Sequence, residues 1–345
     1  MEPPRRAGRD CVTGIAELRL GRGTLVPALS ASDPYLLVVA EALRDQVVGS
    51  LTTPPVEVVV ASSLEQRDLD ELFDHAPAVD CVAGVGGGVA IDVAKYGAGR
   101  LGVPLIAVPT ILSTTAYINP LAVLRDAGRS VMVPAPGPAV VVVDFDVLQR
   151  APRELNVAGL GDILSCHTAL YDWRLAVDDG VVVHPWDARA ARQARLLVES
   201  ISAHADDFRA MNERGLKLLV DMHIEVVDIC EGLGHARPEA GSEHLLVEAI
   251  EEVTGRAFLH GPIVGLGIDV MSELQGNDHE PIVALMDEVG LGHSPQAVGV
   301  VRTELEQALT RLAHPDGPPR LRSVVDDAGL DDVRIAELVD SRSFA

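Results

Sequence analysis

The stretch Gly84-Val85-Gly86-Gly87-Gly88-Val89-Ala90-Ile91-Asp92-Val93-Ala94-Lys95 sets four glycines within five residues and follows them with an uninterrupted helix-like run. Asp80-Cys81-Val82-Ala83 just before it reads as a strand, so the whole is a strand, a glycine turn and a helix start. Such a junction makes an anion site. Unpaired backbone N–H groups and the positive helix end converge where no side chain blocks approach. A diphosphate fits there. The same glycines would also serve a tight turn with no ligand, since a lone glycine motif is weak evidence. The spacing GGGxxxDxxK is more specific than that, and differs from GxGxxG and from the GxxxxGK pattern of nucleotide triphosphate sites. Lys95 is one of only two lysines among 28 basic residues. Either it is placed for a purpose, or chance put it there.

Working outward, residues 33 to 145 alternate short β-branched runs with helix-like segments, the mark of parallel α/β units. Tyr35 to Val39, Val56 to Val60, Asp80 to Ala83, Pro104 to Val108 and Ala139 to Val143 read as strands. Helices are expected from Glu41 to Val48 and near Leu64 to Phe73, and a hairpin at Asp126-Ala127-Gly128. Continuous apolar strands of this kind are covered on both faces, as in a doubly wound sheet. After Arg150 strand signals nearly vanish. Asp187 to His204, Leu216 to Ile229, Glu243 to Val253 and Gln296 to Leu312 have helical length and periodicity. The expectation is an α/β Rossmann-like domain with a parallel sheet over 1–150 and an all-α domain over 151–345, with ligands favouring the cleft between them. The cluster His314-Pro315-Asp316-Gly317-Pro318-Pro319 reads as a loop.

Composition bounds the function. A chain of 345 residues with 48% hydrophobic content can bury a large core. Its formal charge of −23 argues against nucleic acid or an anionic membrane as partner, because a polyanion is repelled at long range. Any anionic ligand is therefore held locally. No apolar run approaches membrane-spanning length, and Met1-Glu2-Pro3-Pro4-Arg5-Arg6 lacks the apolar stretch of a signal peptide. Cys11, Cys81, Cys166 and Cys230 show no CxxC spacing and read as buried thiols of a reducing compartment. A cytoplasmic protein with a small-molecule substrate is expected.

Gly86-Gly87-Gly88, Asp92 and Lys95, with Pro109-Thr110 and Ser113 after the next strand, resemble the cofactor loop of the iron-containing alcohol dehydrogenase superfamily. That superfamily includes glycerol dehydrogenase, sn-glycerol-1-phosphate dehydrogenase and 3-dehydroquinate synthase. The resemblance extends into the second half. Gly159-Leu160-Gly161-Asp162-Ile163-Leu164-Ser165 with Thr168-Ala169-Leu170-Tyr171-Asp172-Trp173 is similar to the metal-ligand segment of the glycerol-1-phosphate branch. Gly241-Ser242-Glu243-His244 and Leu259-His260-Gly261 are similar to its two histidine segments. The resemblance implies a dehydroquinate synthase-like fold and a homo-oligomer. It implies NAD or NADP with its diphosphate on Gly86, Gly87 and Gly88, and Asp92, Lys95, Thr110 and Ser113 on the cofactor side. It also implies a divalent metal (zinc, nickel or iron) on Asp162, His244 and His260.

One oxygen and two imidazole donors suit a divalent cation with a position open for substrate. A single helix could not supply both histidines, since the 16 residues from His244 to His260 would span about 24 Å. Thr254-Gly255-Arg256 supplies a break, and Gly261-Pro262 suits the opening of another helix. The cation would be a Lewis acid for an alcohol or ketone, with nicotinamide exchanging the hydride. His167 reads either as a proton relay or as a packed helix residue.

Three functions compete: an NAD(P)-linked, metal-dependent dehydrogenase of a small polyol or polyol phosphate, a redox-neutral cyclase like 3-dehydroquinate synthase, and a binding protein of the same fold. The synthase family carries glutamate at the first metal position and lysines around its anionic substrate. This chain has Asp162 and two lysines in all, which favours the dehydrogenase. Where the glycerol and glycerol-1-phosphate enzymes place a substrate-side aspartate, in a PTxxSxD pattern, Pro109-Thr110-Ile111-Leu112-Ser113-Thr114-Thr115 places Thr115. A hydroxyl replacing a carboxylate implies an altered polyol contact and a preference shifted away from glycerol 1-phosphate. Glu41, near the end of the first strand, reads either as a ribose acceptor or as a solvated helix residue.

Overall fold

A computed structural model describes residues 14–32, 34–126, 129–181, 183–314 and 320–344, and the chain divides into two compact units at Asn156 and Val157. Cys11, the N-terminal segment, the tip of the expected hairpin and most of the expected loop at 314–319 lie outside the described residues. Among the described residues no helix is long and apolar enough to cross a membrane.

Among its described residues the first unit holds eight strands: β1 (Glu17–Gly21), β2 (Tyr35–Ala40), β3 (Glu57–Ala61), β4 (Cys81–Gly86), β5 (Leu105–Pro109), β6 (Leu121–Asp126), β7 (Arg129–Pro134) and β8 (Val140–Asp144). Six form one parallel sheet in the order β1-β8-β5-β4-β2-β3, while β6 and β7 pair antiparallel as a separate ribbon. The parallel strands are apolar in unbroken runs because both faces are covered. Tyr35, Leu37 and Val39 of β2 join one core with Leu25, Leu29 and Val85, and Leu36 and Val38 join the opposite core with Phe73, Val93 and Leu124. The order reverses between β2 and β4, which puts the carboxyl ends of those strands, Ala40 and Gly86, at the topological switch point where open α/β sheets bind ligands.

Glycines let the helix Gly88–Leu101 lie directly on the sheet. A Cβ on Gly84 would sit 2.6 Å from Ala94 Cβ, and one on Gly86 would sit 2.6 Å from Ala90 Cβ and 3.0 Å from Ala40 Cβ. Phe73 occupies the space that a side chain on Gly97 would need.

The second unit is helical throughout its described residues. The helix Ser242–Thr254 ends on Gly255 in the left-handed conformation (φ +64°), and the next helix, His260–Gln275, begins on the second histidine. The break expected between the histidines is therefore present. A single helix expected from Gln296 to Leu312 is instead two, Pro295–Val298 and Arg302–Ala313. Gly299 (φ +79°) ends the first, and Glu304 Oε2 accepts the Val301 N–H at 3.0 Å to start the second.

Candidate nucleotide loop and metal centre

At the glycine turn, Gly87 caps the helix Gly88–Leu101 in an extended conformation, and no side chain caps the helix start. The N–H groups of that first turn therefore remain available to a ligand. The Thr110 N–H bonds the Gly86 carbonyl at 3.0 Å, which closes the next strand-to-loop junction against the turn. A small hollow there is lined by Gly86, Gly87, Gly88, Ser113 and Thr114, with Ile111 at its side. Thr114, which sequence reasoning did not select, lies 3.7 Å from where a Cβ on Gly88 would stand. Glu41 is exposed at the end of β2.

Asp92 and Lys95 do not line this hollow. Lys95 is fully buried, and its ammonium is 3.0 Å from Asp92 Oδ1 and 3.0 Å from Asn119 Oδ1, with the Leu121 carbonyl as a further acceptor. Lys95 and Asp92, expected on the cofactor side, are both buried. One helical turn apart, they pair with each other and tie the helix to the start of β6. Burial pushes each toward its neutral form, Lys95 down and Asp92 up, and the attraction between them opposes both shifts. Thr110 and Thr115 are buried and also do not line the hollow. Thr115 Oγ1 accepts from Asn119 Nδ2 at 3.3 Å.

In the second unit, Asp162, His244 and His260 each bring one ligand atom into a group within 4.8 Å of one another. Asp162 sits in the short helix Leu160–Leu164, where its neighbour Gly161 meets Gly261, the residue after His260: a Cβ on Gly161 would be 2.5 Å from Gly261 Cα. A Cβ on Gly261 would strike the Ala158 carbonyl. Main chain thus lies against main chain beside both ligands. Asp162 Oδ1 is sealed from solvent and receives no hydrogen bond, although His260 Nε2 is 3.0 Å away. A buried carboxylate oxygen left unbonded and facing an imidazole nitrogen fits a shared cation. Burial alone would raise the Asp162 pKa, but His260, His244 and His223 outweigh it and hold it below the ordinary value.

Around the trio stand groups that sequence reasoning missed. Glu243, fully buried, faces His244 Nδ1 at 2.8 Å. Burial opposes the charged form of His244, yet Glu243 and then Asp162 and Glu239 carry its pKa to about 9. Burial and Asp162 push Glu239 up to about 8. His223 Nε2 lies 2.8 Å from the Gly159 carbonyl. Of these only Glu243, beside a histidine, offers a signal in sequence. His167 Nε2 is 2.7 Å from the Asn277 carbonyl, as a packed helix residue would be.

The chain belongs to the iron-containing alcohol dehydrogenase family, whose description matches residues 15–152. Among its relatives, glycerol-1-phosphate dehydrogenase (NAD(P)+) of Sulfurisphaera tokodaii is 32% identical over 332 residues, 94% of this chain and 91% of its own. The Aeropyrum pernix protein of the same description is 32% identical over 269 residues, 78% of this chain and 72% of its own. Among solved structures, a probable glycerol dehydrogenase from Sinorhizobium meliloti superposes with a TM-score of 0.71 at 21% identity, covering 95% of this chain and 98% of that one. Glycerol dehydrogenase from Schizosaccharomyces pombe gives 0.69 at 20% identity, covering 95% and 90%. The two structures bear on the fold alone.

Proposed function

We propose that the protein is an NAD(P)-linked, metal-dependent oxidoreductase that interconverts a small polyol, phosphorylated as in its glycerol-1-phosphate dehydrogenase relatives, with its carbonyl form. The observation that carries this reading is the unbonded, buried Asp162 Oδ1 facing His260 beside His244. Asp162, His244 and His260 hold a divalent cation, and Gly86, Gly87 and Gly88 receive the cofactor diphosphate through main-chain N–H groups. A bound cation would supply Lewis-acid chemistry for an alcohol or ketone, and a bound nicotinamide would exchange the hydride. The chain's own part is to bind and orient. Asp162 brings the negative charge that a divalent ion needs, and the two imidazoles bring neutral donors. Ser113 and Thr114 offer hydroxyls at the rim of the glycine hollow. A cytoplasmic location belongs to the same reading, supported by the free thiols of Cys81, Cys166 and Cys230, and a homo-oligomer is proposed with it on the family resemblance alone.

The test is metal content and NAD(P)H oxidation with dihydroxyacetone phosphate and dihydroxyacetone, in wild type and in His260→Ala. The expected result is carbonyl-dependent oxidation by the metal-loaded wild type, with metal and turnover both lost in the variant. Stoichiometric metal and a normal rate in His260→Ala would overturn the assignment.

A further inference from the structure

Glu243 sits in the first turn of the helix Ser242–Thr254, with no exposed surface. Three donors converge on its carboxylate. The Gly241 N–H donates to Oε1, His244 Nδ1 approaches Oε1 at 2.8 Å, and Thr168 Oγ1 donates to Oε2 at 2.7 Å. A first-turn glutamate can serve its helix alone, by neutralising the helix end and taking one main-chain N–H. That service needs one oxygen and one bond. Here the second oxygen is fixed from another helix, Cys166–Asp178, which carries Thr168, and the first oxygen also meets the neighbouring imidazole. The main chain is fixed as well, since a Cβ on Gly267 of the helix His260–Gln275 would come within 2.6 Å of the Glu243 carbonyl. The carboxylate therefore has little freedom to turn.

A nitrogen that faces a carboxylate carries the proton. In neutral His244 the proton is then on Nδ1 and the lone pair on Nε2, the nitrogen left to take a cation. We propose that Glu243 is a positioning residue for the metal centre, fixing the tautomer and ring orientation of His244, with Thr168 in turn fixing Glu243. The inference rests on the metal reading of Asp162, His244 and His260. Carboxylates that orient metal-bound histidines change metal affinity by about 10–100-fold when removed.

The experiment measures the zinc dissociation constant by chelator competition for wild type, Glu243→Ala, Glu243→Gln and Thr168→Val, together with thermal unfolding of each metal-free protein. Zinc affinity should weaken about 10–100-fold in Glu243→Ala. It should weaken less in Glu243→Gln, whose amide oxygen still accepts from Nδ1, and to an intermediate degree in Thr168→Val. The imidazole ¹⁵N spectrum of metal-free Glu243→Gln should keep the Nδ1–H tautomer of His244. If Glu243→Ala does not fold, Thr168→Val and Glu243→Gln decide the matter. Unchanged zinc affinity in the folded variants, with only the melting temperature lowered, would reduce Glu243 to a helix-end residue. His260→Ala separates the two levels: if it loses zinc while the Glu243 variants keep it, only the positioning role fails, and if it keeps zinc, the metal reading itself fails.

Discussion

Lys95 and Asp92 stand 3.0 Å apart with the lysine wholly sealed from solvent, so a charge that the sequence places beside a candidate cofactor loop is neutralised inside the fold. Removing one partner of a buried ion pair leaves the other uncompensated. Lys95→Met should therefore destabilise the protein by about 3–5 kcal/mol, and Lys95→Met with Asp92→Leu should recover much of the loss. Urea unfolding of the three proteins checks this. A raised NAD(P)H dissociation constant in Lys95→Met with an unshifted unfolding midpoint would return the lysine to the cofactor.

At the glycine turn, a Cβ on Gly87 would stand 2.8 Å from Ile111 Cδ1, the far end of a flexible side chain. The fold can accommodate Gly87→Val by turning Ile111, but the hollow then fills. The expected outcome is an NAD(P)H dissociation constant raised roughly tenfold or more, equivalent to about 1.4 kcal/mol, with metal content unchanged. Fluorescence titration, with circular dichroism as the folding control, reads the result. Unaltered affinity would make the glycines a turn and nothing else.

Thr115 accepts a hydrogen bond from Asn119, and no described residue accepts the proton of its own hydroxyl. The family resemblance puts this position on the substrate side, where relatives are expected to carry an aspartate. Thr115→Val keeps the shape and removes the hydroxyl, so KM for the carbonyl substrate should rise while zinc and NAD(P)H affinities hold. If KM stays constant and stability falls by about 1 kcal/mol, Thr115 serves only Asn119.

Asp172 is buried between two helix ends, where its carboxylate accepts from the Ser242 N–H at 2.7 Å and the Val324 N–H at 2.7 Å. Burial, and then Glu243, lift its pKa to about 6. For an acid the sign follows directly: between its unfolded pKa of about 4 and about 6 the folded state binds more protons, so stability falls as pH rises through that window and is level above it. Relative to Asp172→Asn, the wild type should lose up to about 3 kcal/mol on going from pH 4 to pH 7. Denaturant titrations at several pH values test this, and parallel profiles for the two proteins would contradict it.

The strands and the glycine junction were legible because a sheet covered on both faces writes itself as unbroken apolar runs. Strand β1 was missed because Glu17–Gly21 at the sheet edge is only partly buried and carries charged residues. The hairpin expected at 126–128 falls between β6 and β7, which pair antiparallel, and the strands themselves escaped notice because their apolar runs are short and β7 is largely exposed. In the helical unit, Asp162, His244 and His260 came from the family resemblance, and only the helix break between the two histidines was legible in the residues themselves, at Thr254-Gly255-Arg256. The burial of Lys95 was not, because Asn119 and Leu121, which hold it, lie 24 and 26 residues away and share no local period with it. Glu243 was quoted in the sequence as part of a motif, but its link to Thr168 spans 75 residues and appears only on folding.

The contact of Gly161 with Gly261 places two peptide backbones against each other next to Asp162 and His260. Ligand spacing is thereby set by peptide geometry, which mutation alters only at the two glycines themselves. Leu160, Ile163, Ile263 and Val264 around them are buried apolar residues that can exchange for others of similar volume over evolutionary time. Exchanges among these aliphatic residues should therefore leave the span between carboxylate and imidazole as it is, whereas a side chain on Gly161 or Gly261 must push the two ligand-bearing segments apart.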